Sequence, residues 1–475
     1  MRPDASKLEN PCPIQAEIEV LMDKKELRAA TSLAAVFSVR MLGLFMIYPV
    51  FATFARRIPG ANPYTIGLAL GIYGLTQGLL QMPFGVLSDR LGRKVMIVLG
   101  LTLFGLGSAV AASAHTIDGM IWGRALQGAG PVGAVVLATV GDLTGEEHRT
   151  QAMALIGMTI GLSFLVAIVA GPVLGAWVGI SGIFWFMAAL AVLGIAITLF
   201  IVPTPRHLRV HRDAEAVPAM IGSTLRNTEL LRLDFGIFAL HAMLTASFLV
   251  VPVVLAGTLG MKTRTEWQVY LPALLLSVVV MVPAILVGER LRRMKVVLVA
   301  AVAGLAVSQF MLAAGAGHKW VLLAAITLFF TAFNVMEASL PSLVTQIAPA
   351  ASKGTATGVY SSSQFLGIFV GGLAGGWIHQ RLGAVAVFES AGTVALLWLL
   401  VAATMRRPSY LTSRIVRIAS VVDSGRLSAR LLEVPGVAEA VVVPEEGVAY
   451  LKVDSRRFDR KQAETVAGGV AAPAS

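Results

Sequence analysis

Long apolar stretches recur along this chain, and they leave it few places to fold except inside a bilayer. Runs of roughly 20 residues or more, enough for a helix to cross about 30 Å of hydrocarbon, fall near 31–54, 65–87, 95–114, 118–141, 150–177, 181–202, 233–257, 268–288, 296–315, 320–343, 355–379 and 384–405. Twelve such runs predict an all-α membrane protein, because a helix satisfies its own backbone polar groups where no water can. Only 14% of the 475 residues are charged, against about 25% in a soluble chain. Gly is abundant, at 47 residues, and small residues let spanning helices approach closely where lipid supplies no hydrophobic drive between them. Residues 1–28 are polar, and no short apolar core with a small-residue cleavage site follows. The first run is therefore expected to be kept as a span.

The net charge of +11 would suit a nucleic-acid partner, but its distribution suits a membrane. With the N-terminus inside, fourteen basic residues fall in cytoplasmic links, among them Arg90, Arg93, Lys94, Arg206, Arg209, Arg212, Arg290, Arg292 and Arg293. Six fall outside: Arg56, Arg57, Lys262, Arg264, Lys319 and Arg381. That asymmetry predicts both termini in the cytoplasm, and no nucleic-acid partner is expected. The lone Cys12 excludes an internal disulfide or a thiolate metal cluster, and no metal or cofactor is expected. No GxxxxGK[ST] occurs, which argues against an ATP-driven pump. The chain reads as a carrier, not an enzyme. The expected organisation is a cytoplasmic segment 1–28, a six-helix bundle 29–203, a linker 204–232, a second six-helix bundle 233–407 and a soluble α+β domain 408–475.

The two halves echo each other. Met82-Pro83 and Asp89-Arg90-Leu91 return as Val282-Pro283 and Glu289-Arg290-Leu291; Phe37–Arg40 returns as Phe238–His241; Gly157, Phe164 and Gly175 return as Gly358, Phe365 and Gly376. Duplicated halves place a substrate site near the bilayer midplane, between bundles that rock against each other. Ionisable groups at that depth are the best functional pointers. Arg40 lies near the middle of the first run, His241 holds the corresponding place in the seventh, and Glu337 lies within the tenth. The carboxyl and the imidazole are the candidates for taking up and releasing a proton. Gln77, Gln81 and Asn334 are further candidates for lining the cavity. Gly128–Gly133 fits GxGxxG but is expected in mid-helix with no preceding strand, so a dinucleotide site is excluded.

Gly85-Val86-Leu87-Ser88-Asp89-Arg90-Leu91-Gly92-Arg93-Lys94 is expected as a link after the second run, its glycines explained by a tight turn. It resembles the signature of the major facilitator superfamily, GxLxDRxGRK, at every defined position. The resemblance implies that Asp89, Arg93 and Asp142, at the end of the fourth run, form a charge relay that holds the outward-facing state. Arg124–Gly130 resembles the family's fourth-helix motif, and Arg124 and Gln127 join Arg40, Gln77, Gln81 and Asn334 as candidates for lining the cavity and meeting the substrate. Ala167–Gly175, with Gly171-Pro172 inside, resembles the fifth-helix motif of its antiporter branch, where a Gly-Pro kink on a packing face is a candidate rocking element.

After Arg407 the composition turns polar. Ala438–Val443 and Val448–Val453 alternate and predict a hairpin, with helices expected over Ser424–Glu433 and Phe458–Val466 and a frayed end over Gly468–Ser475. Nearly the whole chain resembles the YajR-type family of the drug/proton antiporter branch, through Arg40–Phe45, Gly71–Gln77, the signature segment, the Glu337 segment and Ala449–Asp454. That resemblance implies a ferredoxin-like βαββαβ tail. It also implies a monomeric inner-membrane carrier that exports a small solute by alternating access in exchange for protons. A membrane sensor signalling through its tail is the alternative reading.

Overall fold

The computed structural model describes residues 22–145, 148–204, 220–315, 317–349, 352–406, 411–418, 423–444, 447–454 and 456–468. Cys12, most of segment 1–28, the linker arginines Arg206, Arg209 and Arg212, and residues 469–475 lie outside the described residues.

Nine described stretches are long and apolar enough to cross a membrane. One of them, Gln151–Phe200, holds two helices broken at Gly179 (φ 68°, ψ −175°). Pro63–Leu91 and Lys353–Leu382 bring the spans to twelve. These two are long enough but carry Gly, Ser, Thr and Gln where the others carry aliphatics. In order, the spans are 1 (Lys24–Ala55), 2 (Pro63–Leu91), 3 (Arg93–Ala112), 4 (Ile117–Leu143), 5 and 6 (Arg149–Phe200), 7 (Thr228–Leu259), 8 (Trp267–Arg290), 9 (Met294–Ala314), 10 (Lys319–Ile347), 11 (Lys353–Leu382) and 12 (Ala384–Thr404). Asn62 starts span 2 by accepting a hydrogen bond from the Thr65 amide at 3.0 Å, and Asn227 starts span 7 by accepting from Glu229 and Leu230. Both satisfy amides that a helix start leaves unpaired.

Several spans are less regular than their hydropathy suggests. Span 1 breaks at Ile47, two residues before Pro49, and span 4 breaks between Gly128 and Gly133. Gly128–Gly133 therefore sits at a break between two half-helices, a correction to its expected mid-helix placement. Span 5 runs through Pro172 as helix; the departure from helical geometry comes later, at Gly179. Gly171 packs closely on span 1, since a Cβ there would stand 2.5 Å from the Met46 carbonyl oxygen.

Counting spans alternately, one end of the bundle carries the attachment of the C-terminal domain. We call it the tail face and the opposite end the far face. The two six-helix halves meet most closely along spans 2 and 11. Gly67, Gly71, Gly74 and Gly78 lie against Gly376, Gly372, Phe369, Phe365 and Ser362, so closely that a Cβ at Gly71 would stand 2.7 Å from the Phe369 carbonyl oxygen. This contact runs from the far-face end of both helices to about mid-depth. Aromatic rings continue the seal, Tyr48 on Phe248 at 5.7 Å and Phe164 on Phe330 and Phe333 at 6.4 Å each.

The tail is a small α+β unit. β1 (Thr412–Arg417), β2 (Val437–Val443) and β3 (Val448–Val453) form an antiparallel sheet in the order β1-β3-β2. The helices Ser424–Leu432 and Arg460–Ala467 complete it, and Leu427, Leu431, Ala463 and Val466 pack with Ala449, Leu451 and Val453 on one face. The hairpin and both helices fall where alternation placed them. β1, with Arg414 and Arg417 in six residues, lacks an alternating apolar signal and is revealed by its pairing. The final strand that the ferredoxin-like resemblance implies would fall outside the described residues.

Candidate functional site

The signature segment is helical to Leu91 and again from Arg93, so Gly92 alone makes the turn. Its φ of 96° is the left-handed region that glycine adopts without a Cβ penalty. Gly85, expected in a turn, lies inside span 2, where a Cβ would meet nothing nearer than Ala134 at 3.7 Å. Arg93 is folded back beneath the turn and buried. Its Nε donates to Asp142 Oδ2 at 2.8 Å, and its Nη1 donates to Ser88 Oγ at 2.6 Å and to Asp89 Oδ1. Asp89, Arg93 and Asp142 are thus brought together, all within the first half. Arg90 faces out and Lys94 is half-buried. In the second half Glu289 is exposed, and Arg292 stands where the first half has Gly92.

At mid-depth the polar residues form three groups. Arg40, buried in span 1, donates from Nη2 to Tyr73 Oη at 2.8 Å and Gln77 Oε1 at 2.5 Å, and Gln77 donates in turn to Gln81 at 3.2 Å. Arg40 Nε and Nη1 have no hydrogen-bond partner among the described residues. Arg124 is engaged differently. It donates to the Ala69 and Leu70 carbonyls of span 2 and to Gln127 Oε1, lies over the Tyr73 ring, and Gln127 continues to Ser108. Its donors are committed to protein, so Arg124 and Gln127 pin spans 2, 3 and 4 together.

The third group spans helices 7, 10 and 11. His241 Nε2 accepts a hydrogen bond from Gln364 Nε2 at 2.8 Å, and Gln364 Nε2 also donates to Glu337 Oε1 at 3.4 Å. His241 Nδ1 faces the Ile237 carbonyl at 3.3 Å, so this network calls for a neutral ring with its proton on Nδ1. Glu337 Oε2 is 3.8 Å from His241 Nε2 and has no hydrogen-bond partner among the described residues. The carboxylate side chain is 37% exposed although it lies in the middle of a span. Asn334, one turn earlier, donates to Ser277 Oγ of span 8 at 2.6 Å. Sequence reasoning missed Gln364, an uncharged glutamine after three serines with no periodicity or charge to single it out. Phe333 packs 5.8 Å from His241 and stacks on Phe164 and Phe329, so the aromatic seal begins beside the acid–imidazole pair. Among the described residues, no cluster of His, Cys, Asp and Glu could hold a metal ion.

Two pseudo-symmetric six-helix halves around a polar mid-depth site define an integral-membrane carrier, and the chain belongs to the Major Facilitator Superfamily, which matches residues 33–372 and 233–430. Within it the chain is YajR-type: residues 414–468 match the YajR YAM domain. It is 43% identical over 446 residues to the inner membrane transport protein YajR of Escherichia coli K12, covering 93% of this chain and 98% of that protein. A class E tetracycline resistance protein of Escherichia coli is 32% identical over 166 residues, 34% of this chain and 40% of that protein. The human organic anion transporter MFSD10 shares the fold, with a TM-score of 0.59 at 20% identity over 80% of this chain and all of that one. Transporters of this superfamily bind small molecules within the membrane.

Proposed function

We propose that the protein exports a small solute or drug across the inner membrane in exchange for protons, by alternating access between halves 29–203 and 233–407, with both termini in the cytoplasm. The observation that carries this reading is the joining of Glu337 and His241 through one amide, Gln364, at mid-depth. A proton arriving at His241 Nε2 would face the Gln364 N–H and repel it. The amide must then turn its oxygen toward the ring, or the imidazolium must turn to Glu337 Oε2. Either rearrangement rewires spans 7, 10 and 11, which is what proton coupling needs. Arg40, with the three N–H groups of Nε and Nη1 left over, supplies hydrogen-bond donors to the solute from the opposite half, and Gln77, Gln81 and Asn334 complete the chamber.

The seal between the halves lies toward the far face, and the Glu337 side chain is part-exposed on the tail side of it, so this arrangement reads as open toward the cytoplasm. The Asp89–Arg93–Asp142 cluster is closed within the first half in that same arrangement. Its proposed switching role therefore rests on Asp89 changing partner between states, from Arg93 to the positive start of a neighbouring helix. The partial likeness to a tetracycline resistance protein supports efflux as the direction.

The reading is tested in liposomes loaded with a pH-sensitive dye and challenged with candidate solutes. The native protein should move protons with a solute, Glu337→Gln should abolish that movement, and His241→Ala should uncouple it. If no solute moves protons through the native protein, antiport is wrong.

A further inference from the structure

The second half retains the signature segment in altered form, as Gly288-Glu289-Arg290-Leu291-Arg292-Arg293. Aligned on Asp89-Arg90-Leu91 and Glu289-Arg290-Leu291, Gly92 corresponds to Arg292. Both positions have a positive φ, 96° at Gly92 and 51° at Arg292, the one non-glycine residue with positive φ among those described, although the second-half link runs over Leu291–Arg293 where the first has Gly92 alone. An arginine in that conformation is strained, because its Cβ crowds the backbone. Such strain persists only where surrounding contacts hold it.

One such contact comes from the C-terminal domain. Arg292 Nη2 donates to Asp454 Oδ1 at 3.2 Å. Two residues earlier, on the central strand β3, Lys452 donates from Nζ to the carbonyl of Gln346 near the end of span 10. A helix C-terminus leaves its last carbonyls unsatisfied, and a lysine is a suitable partner for them. Lys452 is only 4% exposed and Tyr450 3% exposed, yet both point to the sheet face opposite the two helices, as strand alternation from Ala449, Leu451 and Val453 requires. In a free-standing domain of this kind that face would be open to water.

We propose that the second-half signature turn has become the receptor for the C-terminal domain: Arg292 and the span 10 terminus at Gln346 dock Asp454 and Lys452. The domain then acts as a brace on the second bundle. Both anchors belong to that bundle, one on the link between spans 8 and 9 and one on span 10, so the domain rides with it through the transport cycle. Docking rests on polar contacts, so salt loosens it. The inference uses the domain contacts alone and does not depend on proton coupling.

Two spin labels in a Cys12→Ser background test it, one at Lys295→Cys in span 9 and one at Arg430→Cys in the soluble domain, with the distance distribution measured in the full-length protein. The parent should give one narrow docked distance. Arg292→Gly leaves the soluble domain untouched and relieves the strained turn. It should lower the docked-to-undocked ratio about two- to fivefold, the worth of a partly exposed ion pair. Asp454→Arg should lower the ratio further, and the swap Arg292→Asp with Asp454→Arg should restore it. An unchanged distribution in Arg292→Gly, or a swap no better than Asp454→Arg alone, overturns the proposal.

Discussion

Arg93 shows how much a single side chain carries in this fold. Its guanidinium serves Asp142, Ser88 and Asp89 from one buried position, a forked geometry that an ammonium cannot reproduce. Removing one partner of a buried pair costs on the order of 3–5 kcal/mol. Arg93→Ala is therefore expected to lower the melting temperature of the detergent-purified protein sharply, and Arg93→Lys to lower it by less, both readable by thermal unfolding. Asp454 gives a pH prediction at the same scale. The Arg456 backbone N–H and the Arg292 guanidinium hold its carboxyl below the usual range. The stabilisation from Arg292 is thus fully present above the ordinary carboxylate pKa and is lost as pH falls through the depressed value. The docked distance defined above should be constant from neutral pH down to about 5 and should broaden only on further acidification. If docking weakened between pH 8 and 6, a group other than Asp454 would control it. Arg40, His241 and Glu337 were legible because charge is costly in hydrocarbon, and Arg93 because its segment resembles the family signature. Gln364 was not, because a neutral amide among serines carries no such penalty to betray it.

Among the elements, spans 2 and 11 are the ones whose composition least resembles a membrane helix, and they form the closest contact between the halves. Their glycines reduce hydropathy for the same reason that they permit backbone contact. On the alignment of Asp89 with Glu289, Gly67, Gly71, Gly74 and Gly78 correspond to Trp267, Leu271, Leu274 and Val278. Span 8 therefore cannot approach span 5 as span 2 approaches span 11. The duplication visible in sequence is broken here, and the break makes one side of the interface the closer contact. Gly74→Leu imports the second-half residue. A Cβ there would meet Ile368 at 2.9 Å as well as the Phe365 carbonyl oxygen. This variant is expected to wedge the far-face seal and to raise labelling of a cysteine at Phe365 by a reagent added from the far side. Unchanged labelling would mean that the spans 2 and 11 contact does not set far-face closure. Breaks at Ile47 and at Gly130-Pro131 were hidden from the sequence because hydropathy runs straight through them, whereas the break at Gly179 falls in the gap between the runs 150–177 and 181–202.

For the whole molecule, the twelve spans and the tail hairpin were readable because burial in lipid and strand alternation are local patterns. The relation between modules was not. Which end of the two halves is sealed depends on distant pairs such as Tyr48 with Phe248 and Phe164 with Phe330, and the seat of the tail depends on Arg292 meeting Asp454. No window of sequence contains either relation. Alternating access requires the halves to expose one mid-depth chamber to each face in turn. Single cysteines at Gln81 and Asn334, in sealed vesicles of known orientation, measure this when labelled by an impermeant reagent from either side. Both positions should react from the tail side at rest and from the far side under an imposed proton gradient with a transported solute present. Reaction from one side alone, under every gradient and solute, would contradict the account.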